Sequence, residues 1–295
     1  MSIRIPPRVA AIHDLSCIGR CSLTAAIPIL STLGVQAVPV PTAVLSTQTD
    51  GYTDLFFRDM SEEMDGIAAH FDRLGLQFDA VYSGFLGSIR QIDQVKAFID
   101  RFGGKLALVD PVMGDGGSLY QTYTAELAAG MRELCRHADI ITPNYTEACF
   151  LTDTPYCPEE TWSENELMAR CDAMAEKLMA QGPRRIIITG IYLRGEWNGT
   201  RYENGAIRTL AYDGETRFVC DRPHLDAHYP GTGDIFASVF LGKLLSGSTF
   251  REAVETACGF VEHTIRATLS AKLPTGHNRE GVLLEPCLPW LTEQK

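Results

Sequence analysis

The chain has 295 residues, enough for one large α/β domain or two small ones. Its 45% hydrophobic and 21% charged content is ordinary for a globular protein with a sizeable core. The balance of 26 basic against 37 acidic residues gives a net charge of −11, which argues against a general nucleic-acid or anionic-membrane binder but leaves room for a local site for one small anion. The nine cysteines are odd in number, widely spaced and contain no CxxC pair, so neither a disulfide framework nor a zinc site is expected. Reduced thiols in a cytosol-like compartment are expected instead, several of them as core fillers. The opening stretch MSIRIPPRVAAIHDL lacks the apolar core and cleavage site of a signal peptide, and no apolar run approaches the roughly 20 residues of a membrane span. A soluble cytoplasmic protein is the expectation.

Taken in chain order, short apolar runs alternate with longer segments of helical period. Val9–His13, Gln36–Val40, Ala80–Ser83, Leu106–Asp110, Asp139–Thr142 and Ile186–Thr189 read as strands. Their near-continuous apolar character suits a parallel sheet covered on both faces. Between them, Ser22–Leu33, Gln91–Arg101 and Glu164–Gln181 read as helices, the last stopped by Gly182-Pro183. The stretch from Tyr192 to Pro223 reads as hairpins, with Asn-Gly and Asp-Gly as turn signals. After Gly233 two helices follow. The second, Phe250–Leu269, carries Phe250, Ala253, Val254, Ala257, Val261, Thr264 and Ile265 on one face. Alternating strands and helices with no evident linker predict one doubly wound α/β domain over residues 1–295.

The stretch YPGTGDIFAS (Tyr229–Ser238) carries the chemistry. Two glycines permit positive φ and close approach of a ligand. A helix beginning near Asp234 leaves its first amides unpaired and suited to a phosphate. Asp234 itself reads either as an N-cap or as a general base facing a hydroxyl. No GxxxxGK[ST] loop exists: Gly242-Lys243 is followed by Leu244, and position 237 is alanine. Any nucleotide phosphate must be held by another device.

The Gly-Thr-Gly-Asp segment resembles the anion-hole and catalytic-base motif of the ribokinase-like kinases. Three further segments, VYSGFLGS (Val81–Ser88), DPVMGDGGSLY (Asp110–Tyr120) and TPNYTEACFL (Thr142–Leu151), resemble those of pyridoxal kinases in the same order. The resemblance runs from about Val9 to about Leu269. It implies a three-layer α/β/α fold with a mostly parallel sheet, and phosphoryl transfer from ATP to the 5′-hydroxymethyl group of pyridoxal, pyridoxine or pyridoxamine. It implies Asp234 as base, with the amides of Gly231, Thr232 and Gly233 around the transferring group. It implies Asp110 and Glu147 as holders of Mg²⁺, directly or through its waters, with Asn144 nearby. Asp110, Asn144 and Glu147 otherwise read as a strand end and helix caps. The resemblance further puts Thr142 and Thr189 at the ATP phosphates and Arg222, Pro223, His224 and Leu225 on the adenine side. A monovalent cation is left open, and a homodimer is implied by the family.

At the vitamin end, IHDLSCIGRCSL (Ile12–Leu23) departs from the pattern, because Asp14 stands where pyridoxal kinases carry a serine against the ring. Asp14 reads as a partner for a ring nitrogen, a phenolic hydroxyl or an aminomethyl group, or as a plain turn or capping residue. Related hydroxymethylpyrimidine kinases also carry an aspartate near this turn, so a pyrimidine alcohol stays open as substrate. Thr49 matches a substrate-facing threonine of a flap-like segment, and Tyr82 reads as a ring contact or as packing. His13 reads as a satisfied strand-end histidine.

Overall fold

The computed structural model describes residues 5–102, 104–158, 162–197, 200–214, 216–274 and 276–293. The apolar runs assemble into one nine-stranded sheet. Its spatial order is β11 (Thr216–Pro223), β10 (Thr200–Asp213), β9 (Arg185–Trp197), β8 (Ile140–Ile141), β5 (Ala107–Val109), β4 (Ala80–Ser83), β1 (Arg8–Ile18), β2 (Gln36–Thr47) and β3 (Phe57–Asp59). β10 is antiparallel to both neighbours and β3 is antiparallel to β2; the other adjacent pairs are parallel. A small hairpin, β6 (Gly114–Asp115) with β7 (Ser118–Leu119), stands apart from the sheet.

Helices cover both faces. On one lie α1 (Ser22–Thr32), α7 (Thr232–Leu245) and α8 (Phe250–Ser270); on the other lie α2 (Ser61–Arg73), α3 (Ile89–Phe102), α4 (Ala125–Cys135), α5 (Tyr145–Thr152) and α6 (Glu164–Met179). The strands serve both cores by alternation: Val81, Ala107, Val109, Ile186 and Ile188 face the α2–α6 side, while Tyr82, Leu108 and Ile187 face the α1–α7–α8 side. Each fully buried Ile or Leu contributes about 1.5–3 kcal/mol. α8 buries the expected face, including Phe250, Ala253, Val254, Ala257 and Thr264, and opens on a Thr249–Glu252 capping box. In α7 every residue from 235 to 242 is buried, because α1, α8 and the sheet enclose it.

Two expectations need correction. The Asp213–Gly214 turn joins β10 to β11, and Asn198–Gly199 lies outside the described residues. Asn204–Gly205, however, is no turn. It lies inside β10, where the register to β9 shifts and Gly205 takes φ +84°, so it forms a bulge. The first strand also runs on past His13 to Ile18, pairing with Val44–Thr47 after a register shift between His13 and Leu15. Its outer half carries Asp14, Ser16 and Cys17 without an apolar period, and only the pairing with β2 makes it a strand.

The chain leaves β1 toward β2 on one side and returns to β4 on the other. The strand order therefore reverses at the carboxyl ends of β1 and β4, where ligands of open α/β sheets bind.

Candidate active site

The N-terminus of α7 lies over this crevice. Its N-cap is Gly231, at φ +83°. A Cβ there would stand 2.2 Å from the Arg20 carbonyl oxygen, so glycine is required both by the left-handed backbone and by the space. Asp234 is the third helical residue, so the N-cap of α7 is Gly231 and not Asp234. Among the described residues no side chain caps α7, so its first amides are available to an anion.

Asp234 is largely enclosed, with 13% of its side chain exposed. Burial pushes its carboxyl up to about 8; the polar backbone of Ser22 opposes this, and the negative charges of Asp110 and Asp14 add to the rise. His13 lies below, with Nδ1 3.8 Å from Asp234 Oδ1. Neither of its ring nitrogens has a hydrogen-bond partner, which corrects the expectation of a satisfied histidine. Burial holds it neutral, with its pKa lowered to about 3. Tyr82 meets the imidazole edge-on at 4.3 Å. It is fully buried, and its hydroxyl lies 3.4 Å from the Asp234 carbonyl and from Ser238 Oγ. Tyr82 therefore packs beneath the base and offers no face to a ligand.

A second acidic group faces α7 from β5. Asp110 Oδ1 accepts from the Thr142 hydroxyl at 2.9 Å, and Oδ2 lies 3.8 Å from where a Cβ on Gly233 would stand. Glu147 closes a capping box on α5: its carboxylate accepts from the Asn144 N–H at 2.8 Å, and Asn144 Oδ1 accepts from the Glu147 N–H at 2.8 Å. The other Glu147 oxygen accepts from the Met113 N–H at 3.0 Å. Asn144 Nδ2 donates to the Gly114 carbonyl at 2.8 Å, and its backbone bridges to Thr189. Burial raises both acids, Asp110 to about 7 and Glu147 well above the usual carboxylate range, with the charge of Asp110 adding to the rise at Glu147. No cation among the described groups offsets either of them. Two buried hard-oxygen carboxylates suit a divalent cation that keeps several waters. Among the described residues there is no cluster of three or more potential metal-ligating acidic, His or Cys side chains.

The remaining candidates spread around this centre. Asp14 is buried and accepts from the hydroxyls of Ser22 at 2.5 Å and Ser16 at 2.7 Å. Thr49 is exposed, in a turn beside Gln48. The side chain of Arg222, at the end of β11, lies against α8, donating to the Glu255 carbonyl at 3.2 Å. Pro223 is exposed, Leu225 is half-buried, and His224 meets the Tyr192 ring edge-on at 4.6 Å. Residues 231–234, 110, 142, 144, 147 and 189 thus gather at one edge of the sheet, while the side chain of Arg222 turns away. Sequence reasoning did not single out Ser22 and Gln48, which contact Asp14 and the Thr49 turn; both lie in segments it did single out, but their contacts depend on the fold.

Residues 20–280 match the family profile described as phosphomethylpyrimidine kinase. The chain belongs to the phosphomethylpyrimidine kinase family. A candidate phosphomethylpyrimidine kinase from Bacteroides thetaiotaomicron VPI-5482, crystallised with pyridoxal in an orthorhombic form, is 40% identical, with a TM-score of 0.86 and coverage of 97% of this chain and 96% of its own. Pyridoxal kinase from Lactobacillus plantarum is 29% identical, with a TM-score of 0.84 and coverage of 97% of both chains. The hydroxymethylpyrimidine/phosphomethylpyrimidine kinase of Bacillus subtilis strain 168 is 29% identical over 255 residues, 84% of this chain and 85% of its own. This kinase family joins pyridoxal and pyrimidine enzymes on one fold, the three-layer ribokinase-like fold expected from the Gly-Thr-Gly-Asp segment.

Proposed function

We propose that this chain is a pyridoxal kinase, transferring the terminal phosphoryl group of ATP to the 5′-hydroxymethyl group of pyridoxal, pyridoxine or pyridoxamine. The observation that carries the reading is Asp234, a largely enclosed carboxylate that is the third residue of α7, beside the open glycine mouth of that helix. A base poised near the working pH combines a useful ionised fraction with a strong pull on the hydroxyl proton. In the reaction Asp234 takes that proton, the freed oxygen bonds to the γ-phosphorus, and the bond to the bridging oxygen breaks to release ADP. Amides of Gly231, Thr232 and Gly233 would bind the equatorial oxygens.

Asp110 and Glu147 would hold Mg²⁺, with Asn144 and Thr142 fixing the two carboxylates. When bound, the ion neutralises charge on the nucleotide phosphates. Thr142 and Thr189 would contact the phosphates, the backbone of Arg222–Leu225 would line the adenine side, and Thr49 would approach the ring. A homodimer belongs to the same reading and is tested by sedimentation.

The 40% identical relative crystallised with pyridoxal supports a B6 substrate. The family profile and the Bacillus subtilis relative favour a second reading, a hydroxymethylpyrimidine kinase. An ATP-dependent assay over pyridoxal, pyridoxine, pyridoxamine and hydroxymethylpyrimidine separates the two. Turnover of B6 vitamers is expected; turnover of the pyrimidine alone would transfer the assignment to the second reading.

A further inference from the structure

His13 ends the inner half of β1 and points to the α7 side of the sheet. It is fully buried, yet neither ring nitrogen has a hydrogen-bond partner. An imidazole placed in that way lowers stability, because its buried polar atoms give up their bonds to water. The surroundings hold the ring in one place. Tyr82 meets it edge-on at 4.3 Å, and a Cβ on Gly84 would stand 2.4 Å from Nδ1 and 2.6 Å from Cε1, so the glycine leaves the space that the ring occupies. The Gly84 N–H donates to the Ile12 carbonyl at 3.2 Å, which keeps that backbone against β1. The Tyr82 hydroxyl lies 3.4 Å from the Asp234 carbonyl, so the wall beside the imidazole also touches the first turn of α7. Nδ1 faces Asp234 Oδ1 at 3.8 Å, and among the described residues His13 is the one basic side chain that comes up to this carboxylate.

We propose that His13 is a positioning residue for the base: its Nδ1–H donates to Asp234 Oδ1 in the substrate complex and leaves Oδ2 turned to the hydroxyl. The inference rests on Asp234 being the base of the proposed kinase. A neutral imidazole carries its one proton on either nitrogen. Opposite an ionised carboxylate the proton belongs on Nδ1, since the other tautomer would set two lone pairs against each other. The 3.8 Å separation exceeds the ~2.7–3.2 Å of an N–H···O bond, and contacts of catalytic groups tighten when substrate arrives. The closed contact is charge-assisted and stronger than a neutral one. It fixes the rotation of the carboxyl group, whose two oxygens are otherwise interchangeable, and small misplacements of a reacting group are costly. His13 exchanges no proton with the substrate; it acts through Asp234 alone.

The test is steady-state kinetics on the full-length chain carrying His13→Asn, His13→Leu and His13→Phe, with stability read by thermal unfolding. Asparagine and leucine have nearly the same shape, but only asparagine puts an N–H where Nδ1 stands. His13→Leu and His13→Phe are expected to lower kcat by about tenfold or more, with KM for the alcohol and for ATP within about twofold of wild type. His13→Asn should keep kcat within about threefold of wild type while melting below His13→Leu, because it buries an amide. Activity and stability then run in opposite order, which a packing role would not produce. His13→Leu as active as His13→Asn would overturn the inference. So would a normal kcat in His13→Phe, and that variant decides the matter if His13→Asn fails to fold. A raised KM for the alcohol with kcat unchanged would overturn it in favour of a role in shaping the substrate pocket. A wild-type protein inactive on every alcohol would instead overturn the kinase reading itself.

Discussion

Gln48 Nε2 donates to the Arg279 carbonyl at 2.9 Å, joining segments 231 residues apart. The same side chain closes its own turn, donating to the Asp50 carbonyl at 2.5 Å and accepting from the Asp50 N–H at 2.5 Å. One residue further along the C-terminal segment, the Glu280 carbonyl accepts from the Arg20 N–H at 2.9 Å, and Arg20 lies directly under Gly231. The turn bearing Thr49 and the mouth of α7 are therefore tied to one short piece of chain.

Gln48→Ala is expected to free that turn while leaving the α7 mouth intact. KM for the alcohol should rise about fivefold or more, in line with the ~1–3 kcal/mol that buried hydrogen-bond partners are worth. KM for ATP should stay within about twofold. Initial-rate kinetics with each substrate varied in turn checks this; an unchanged KM for the alcohol would remove the link.

Asp234→Asn keeps the shape of the side chain and removes the base. We expect kcat to fall by about 10²–10⁴, the usual worth of a positioned general base, with ATP-analogue affinity by calorimetry nearly unchanged. A variant with near-normal kcat would exclude Asp234 from proton transfer.

Gly231→Ala meets two penalties at once. The backbone sits at φ +83°, and the new Cβ would stand 2.2 Å from a backbone oxygen that cannot swing aside. A loss of about 2–4 kcal/mol of folding stability is expected, read from the shift in denaturant midpoint, together with loss of turnover. Stability equal to wild type would mean the mouth can relax.

His13 gives a pH signature. Its folded pKa is lowered to about 3 from an ordinary 6.5, so between those values the unfolded chain binds a proton that the folded chain refuses. Stability from this group is complete above about 6.5 and is lost as pH falls, by up to about 1.4 kcal/mol per pH unit. The raised carboxyls of Asp14, Asp110 and Asp234 act in the opposite sense, so the comparison must be with His13→Phe, which removes one titration only. From pH 6.5 to 4.5 wild type should lose roughly 2 kcal/mol relative to His13→Phe. Parallel stability curves would show that His13 is protonated in the folded protein.

Elements whose signal is local were legible in the sequence. Ala80–Ser83 is the strand it reads as, and α8 has its expected stripe and a cap at Thr249, because periodicity and capping act within a few residues. β3 and the outer half of β1 were not legible, since their backbone bonds are supplied by distant partners and their side chains carry no apolar period. The Asn204–Gly205 pair misled for a related reason: the same left-handed tolerance that favours a turn also serves a bulge.

The site divides along the same line. The residues of the α7 mouth, with their glycines and their aspartate, are contiguous, and each of the carboxylates Asp110 and Glu147 ends or follows an apolar strand. The sequence by itself therefore determined the class of chemistry and the parallel sheet that presents it. Only the tertiary structure decided that Asp234 is buried among other acids, that Tyr82 packs beneath it, and that Asp14 is bound to Ser22. Desolvation and charge proximity depend on groups from β1, α1, β5 and α7 meeting at one point, and no local pattern encodes that meeting.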